Sequence, residues 1–335
     1  MAVGVGVALA RAGQERRSVR QRRRDRRLGL APGEPLADAL ERMAAGQAEL
    51  VLELFSADAM PDARTVHETR KALKRLRALL RLLERRLGED AYARESTALR
   101  HAARQLSDAR DAEVMLNTLD GLIAHHPRAL GRRTGVRRLR SRLAHERAHI
   151  ERLTLGQPAT RTAVINELSA FRDGIAAWKL PERPGIGLVE RDLRRLYSQG
   201  LERHKRVLRG KGDQVQAMHE WRKRVKDLRY AAEMLQRRGS QKRRRSDKRL
   251  RELAKRADAL GELLGEDHDL AVLAQHLRAG RHAGRRDTWH TARKTRKALL
   301  KAIAKRRRTL RKRALRDGAR LYRRSPKRFI SALRA

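Results

Sequence analysis

From about Pro35 onward, apolar residues recur at three- and four-residue intervals, and the strict alternation of a half-buried strand is absent. Val66, Thr69, Leu73, Leu76, Leu80, Leu83 and Leu87 make one such stripe. Met218, Trp221, Val225, Leu228, Ala232 and Leu235 make another. At 100° per residue each stripe is the core side of an amphipathic helix. Breaks are expected at Pro61, Gly88, His126-Pro127, Gly156–Pro158, Lys179–Gly187, Gly210–Gly212, Gly239, Gly265, Gly280–Gly284 and Pro326. The segments between them suit an all-α bundle. Two regions stand apart. Residues 1–27 end in an Arg-rich run with no apolar face, which reads as a basic, disordered tail. Residues 181–187, Pro-Glu-Arg-Pro-Gly-Ile-Gly, read as a linker between halves at 28–180 and 188–335.

An internal repeat supports that division. Val66-His67-Glu68-Thr69-Arg70-Lys71-Ala72-Leu73-Lys74-Arg75-Leu76-Arg77 recurs 152 residues later, from His67 to His219, as Met218-His219-Glu220-Trp221-Arg222-Lys223-Arg224-Val225-Lys226-Asp227-Leu228-Arg229. A weaker pair follows in the same order, Leu106-Ser107-Asp108-Ala109-Arg110-Asp111 and Leu264-Gly265-Glu266-Asp267-His268-Asp269. The expectation is an all-α chain built from a duplicated helical unit.

Charge adds the next layer. Lys and Arg number 83 against 39 Asp and Glu, a formal net charge of +44. Self-repulsion on that scale calls for an anionic partner. With 40% apolar residues the chain can still bury a core, so a wholly disordered basic protein is excluded. Only 3 Phe, 3 Trp and 4 Tyr are present, few for stacking single-stranded bases. There is no cysteine, hence no disulfide framework or thiolate chemistry, and no run reaches the length of a membrane span. The short apolar stretch Val3–Ala10 precedes its basic cluster, the wrong order for a secretory signal. These features suit a cytoplasmic protein.

Position says more than amount. His67, Arg70, Lys71, Lys74, Arg81 and Arg85 share one side of the first motif helix, and His219, Arg222, Lys223 and Lys226 begin the same face in the second. A solvated helix gains by interleaving Glu with Lys at i,i+4, whereas here cations neighbour cations at a small cost each. A face of one sign, present twice at matching phase, is an anion-binding surface. Arg supplies a planar fork of donors, Lys a mobile ammonium and His a further donor, a set suited to phosphate. Residues 285–316 are nearly as basic, with Arg293, Lys297, Lys301 and Lys305 on one face as a possible second wall.

Catalytic and metal signatures are weak. His145 and His149 share a helix face, but Asp108, Asp111, Asp267 and Asp269 read as helix-start or ion-paired acids. No carboxylate dyad, Gly-rich phosphate loop or nucleophile motif accompanies His67 or His219. The expectation is a binding protein, not an enzyme, without cofactor or metal.

The twin His-Glu-x-Arg-Lys-x-x-Lys-x-x-Arg helices resemble the CHAD family, the conserved histidine α-helical domain. Arg110-Asp111 and His268-Asp269, Arg27-Leu28-Gly29-Leu30, and Leu321-Tyr322 with Ser325–Phe329 strengthen the likeness, which covers about residues 28–335. That resemblance implies two similar helical bundles from an internal duplication, related by pseudo-two-fold symmetry, binding of inorganic polyphosphate through a basic surface or cavity, and association with polyphosphate granules. Carried over by position, the contacts would be His67, Arg70, Lys71, Lys74 and Arg77, with His219, Arg222, Lys223, Lys226 and Arg229. Lys301 and Lys305 join them from the later basic helix. Weak, sequence-indifferent nucleic-acid binding is the alternative, since DNA and RNA also present closely spaced phosphates.

Overall fold

The computed structural model describes residues 27–56, 62–183, 185–237, 245–279 and 292–334. The expected tail, except Arg27, lies outside them, as do the anticipated break at Gly239, the Gly280–Gly284 break and Arg285–Asp287. Among the described residues the fold is all-α. No strand forms, and one isolated bridge joins Leu30 to Arg237. In chain order the helices are α1 (Leu36–Ser56), α2 (Ala63–Leu87), α3 (Glu89–Gln105), α4 (Ser107–His125) and, after a π-helical turn at Pro127–Gly131, α5 (Thr134–Leu155) and α6 (Pro158–Ile175). They continue as α7 (Glu190–Leu208), α8 (Gln214–Met234), α9 (Arg245–Ala279), α10 (Arg293–Leu321) and α11 (Pro326–Arg334).

The two motif helices, α2 and α8, start alike. Asp62 caps α2 by accepting from the Thr65 amide at 2.8 Å, and Asp213 caps α8 by accepting from Val215 at 2.8 Å and Gln216 at 3.1 Å. Both predicted stripes are buried almost without exception, Leu87 alone being half-exposed. The buried arc of α2 is wider than its stripe, because Ala72, Ala78, Leu79 and Leu82 are also covered. A helix buried on more than one side is clamped in rotation, which fixes the direction of its remaining polar face.

Apolar side chains form two clusters, and each draws on residues from both sides of the 181–187 segment. The larger includes Leu40, Leu76 and Phe171 with Leu196, Trp221 and Leu260. The smaller joins Leu119 and Leu139 to Leu273, Leu299, Ile303 and Leu310. Hydrophobic burial, at roughly 25 cal/mol per Å² of apolar surface, therefore holds the halves against one another.

One expected break is missing. Gly265 lies inside the 35-residue helix α9, whereas the matching stretch of the first half is interrupted between α3 and α4 at Leu106. There Ser107 turns its hydroxyl back to the Arg104 carbonyl at 2.8 Å. At Gly265 the partner helix decides the outcome. A Cβ at this position would lie 3.2 Å from the Arg222 guanidinium, and one at Gly261 would meet Lys226 at 3.7 Å. Both glycines serve the close approach of α8 to α9 and do not end a helix. Consequently Asp267 and Asp269 are mid-helix residues. Asp267 is 1% exposed and accepts from Arg307 at 3.0 Å and Arg311 at 3.1 Å, joining α9 to α10. Asp267→Asn keeps an acceptor but loses the charge, and is expected to lower unfolding stability by about 1.5 kcal/mol in urea titrations.

Candidate functional site

With their apolar arcs buried and α2 packed against α8, the basic faces of the motif helices meet. Lys74 of α2 is within electrostatic reach of Lys226 and Arg222 of α8, of Arg70 one turn back, and of Arg110 near the start of α4. Arg222 in turn faces Arg110, together with Asp269 and Glu262 of α9. Four helices thus line one trough, with Arg70, Lys74, Arg110, Arg222 and Lys226 along it. Lys74 keeps an open surface while protein crowds its flanks, as a side chain lining a concavity does.

The trough is under-neutralised. Among the described residues, Arg70, Lys74, Arg222 and Lys226 form no ion pair within 4.0 Å, although many other Arg and Lys side chains do. The Arg222 Nε is buried without a hydrogen-bond partner, and so are the Nδ1 atoms of His219 and His268. Unmade hydrogen bonds at buried donors are costly, and a ligand rich in acceptors recovers them.

Burial and like charge also displace the titrations. Lys74 is pushed down to about 7, first by desolvation and then by Lys226, Arg70, Arg110 and Arg222. Lys226 falls to about 8, again chiefly by desolvation and next by Arg222. Arg70 falls to about 10 for the same reasons, desolvation first and Arg110 second. The rings of His219 and His268 lie 4.2 Å apart, centroid to centroid. Desolvation is the main cause lowering both; for His268 the value reaches about 4, with His219, Arg222 and Arg110 adding to the effect. The two imidazoles are neutral at pH 7 and act as hydrogen-bonding groups, not cations. Asp269 is the acid most enclosed by the cluster. Burial raises its carboxyl above the usual range, against the pull of Arg222, Arg110, Lys226 and Lys74.

The family model of the CHAD domain matches residues 34–278. The chain belongs to the CHAD domain family. The resemblance read from the twin motif helices is borne out, over a shorter span than 28–335. Two solved structures share the fold. PptA from Streptomyces chartreusis aligns with a TM-score of 0.56 at 17% identity, covering 87% of this chain and 100% of that one. The CHAD domain from the plant Ricinus communis gives 0.54 at 19% identity, covering 92% and 94%. No curated protein matches.

The CHAD motif residues do not share one environment. Arg70, Lys74, Arg222, Lys226 and His219 converge in the trough. Arg77 lies on its flank, near Arg81, Arg100 and Asp227. His67 is exposed at the beginning of α2. Lys71 pairs with Glu68 at 3.8 Å, and Lys223 pairs with Glu220 at 2.8 Å. Arg229 is tied down by Glu233 at 2.8 Å and by Asp258, so its charge is already spent. Lys301 and Lys305 are exposed on α10, on the face they share with Arg293 and Lys297. Lys305 stands near His126, at the junction of α4 and the π-helical turn, not among the trough cations. On the inner side of α10, Arg306 pairs with Glu266 while Arg307 and Arg311 hold Asp267, which makes part of that basic helix structural.

Arg110 and His268 were not anticipated as contacts. Their signal was the weaker repeat, which aligns Arg110-Asp111 with His268-Asp269, and the structure brings both members of the aligned pair to the same trough. Among the described residues no group of three or more His, Asp or Glu side chains has an arrangement able to hold a metal ion. His145 turns its Nδ1 to the Ser141 carbonyl at 2.8 Å.

Proposed function

We propose that this CHAD protein binds inorganic polyphosphate, without turning it over, along the trough between α2 and α8. The observation that carries the reading is the row Arg70, Lys74, Arg222 and Lys226, contributed by both motif helices and, among the described residues, without an ion-pair partner within 4.0 Å. Each of these cations repels its neighbours until an anion enters, so a ligand gains its own contacts and relieves stored repulsion together. A charge-assisted hydrogen bond contributes about 1.5–3 kcal/mol, and several in series give tight binding to a chain that repeats its charge. The neutral His219 and His268 supply hydrogen bonds beside the cations. The non-catalytic part of the reading rests on the motifs, which set no carboxylate dyad, Gly-rich phosphate loop or nucleophile signature beside His67 or His219. Association with polyphosphate granules follows as the cellular counterpart of this reading. No helix among the described residues is long and apolar enough to cross a membrane.

Shape favours a single phosphate chain over a duplex. Two helices in contact have axes about 10 Å apart, and the furrow between them is narrow. A duplex lies across such a furrow and meets only its rims. Long-chain polyphosphate is therefore expected to outcompete duplex DNA at matched phosphate concentration and physiological salt, in a fluorescence competition assay. Equal or better competition by DNA would sink the assignment and favour a general nucleic-acid-binding role.

A further inference from the structure

A second basic concavity lies elsewhere on the molecule, where the first turns of α9 diverge from the end of α10 and α11 closes the gap. It is a cleft of about 460 Å³. Its lining on α9 ends at Arg256, six positions before Glu262, which at 1.5 Å per residue leaves about 9 Å along the helix between the cleft and the trough. None of the motif residues lines it.

Its lining is of two kinds. The floor is the apolar edge of the larger core, where Leu253, Leu321, Phe329 and Leu333 are each mostly covered and Tyr197 is buried, its ring stacked on Phe329 at 4.1 Å and 9°. The Tyr197 hydroxyl donates to the Arg324 carbonyl at 3.0 Å. The rim carries Arg245, Lys248, Arg249, Arg320, Arg323 and Arg324. Its one acid, Glu252, is occupied by Arg256 at 2.7 Å. Among the described residues, Lys248, Arg323 and Arg324 have no ion pair. A neighbouring depression of about 630 Å³ shares Arg256, Arg320 and Arg323, so the cleft continues as an elongated groove between α9 and α10.

We infer that this groove is a docking site for an acidic peptide segment of a partner protein, anchored by an apolar side chain against the floor formed by Leu253, Phe329 and Leu333. Charge complementarity selects the occupant. A second copy of this chain would bring another strongly basic surface and be repelled. A bare phosphate chain satisfies the rim but leaves the apolar floor wet. An extended acidic segment with one buried Leu or Phe satisfies both, and the elongated shape suits a strand of peptide better than a compact molecule. The site is independent of the trough, and gives this protein a means of recruiting an acidic partner while its motif helices are engaged.

The test uses the whole chain and a fluorescent peptide of Asp and Glu bearing a central Leu-x-x-Phe pair, read by anisotropy at physiological salt. Binding is expected, and replacing the Leu and Phe by Ser should weaken it about tenfold or more. Lys248→Glu with Arg323→Glu and Arg324→Glu should abolish it, while substitutions at Arg70, Lys74, Arg222 and Lys226 should leave it unchanged. Equal binding of the Ser-substituted peptide would overturn the proposal, and that comparison needs no variant to fold. So would loss of binding in the trough variant, displacement by tripolyphosphate at equal charge, or binding to anionic phospholipid vesicles with none to the peptide.

Discussion

Replacing Arg70, Lys74, Arg222 and Lys226 together by Ala is expected to weaken polyphosphate binding about a thousandfold, measured by titration at physiological salt. Four charge-assisted contacts at about 1.5 kcal/mol each set the upper scale, and adjustment of the flexible ligand onto Arg110 and Arg77 recovers part of it. The same substitutions remove like-charge neighbours, so the variant should keep its helical circular dichroism and melt no lower than the parent. Lower affinity without lost stability separates a binding role from a structural one. Retained affinity would move the site elsewhere, with the exposed α10 face of Arg293, Lys297, Lys301 and Lys305 the first place to look.

Polyphosphate binding is also expected to weaken as pH rises, and two lysines set the window. In the empty trough Lys74 loses its proton around pH 7 and Lys226 around pH 8. A polyanion stabilises both ammonium forms and raises both values toward that of an ordinary lysine, so binding takes up protons above neutral pH. Between about pH 6 and about pH 8.5 the linkage amounts to about thirty-fold in affinity for Lys74 and about fourfold for Lys226. Lys74→Arg should flatten most of the profile while keeping the binding. The unliganded fold obeys the same linkage with a different observable. A lysine held below its unfolded value penalises folding while it is charged. Thermal stability of the free protein should therefore rise as pH climbs from about 7 toward about 10, where the unfolded chain binds more protons.

Much of this was legible from spacing alone. The 3-4 apolar stripes placed the cores of α2 and α8 and thereby the direction of their charged faces, because a buried arc leaves a helix little rotational freedom. The repeat of His67–Arg77 at His219–Arg229 pointed to two equivalent basic faces. What spacing could not show was that the faces meet. That depends on helix packing, in which Gly261 and Gly265 let α9 lie against Arg222 and Lys226. The expectation of a break at Gly265 failed on the same point, since a glycine's role was set by its neighbour across the interface. Arg229 shows the converse. Its place in the motif was clear, but its neutralisation by Asp258 comes from a different helix. Arg110 and His268 became visible only when the weaker repeat was read as one set of positions facing a shared centre.

On the proposed function, one polyphosphate ligand engages both motif helices at once. Isothermal titration with a short polyphosphate tests it most directly, using the parent and two half-site variants, Arg70→Ala with Lys74→Ala, and Arg222→Ala with Lys226→Ala. One ligand per chain in the parent, with either half-site variant losing most of the affinity of that single event, is the predicted result. Two equivalent ligands per chain, with each variant keeping one of them at full affinity, would contradict it.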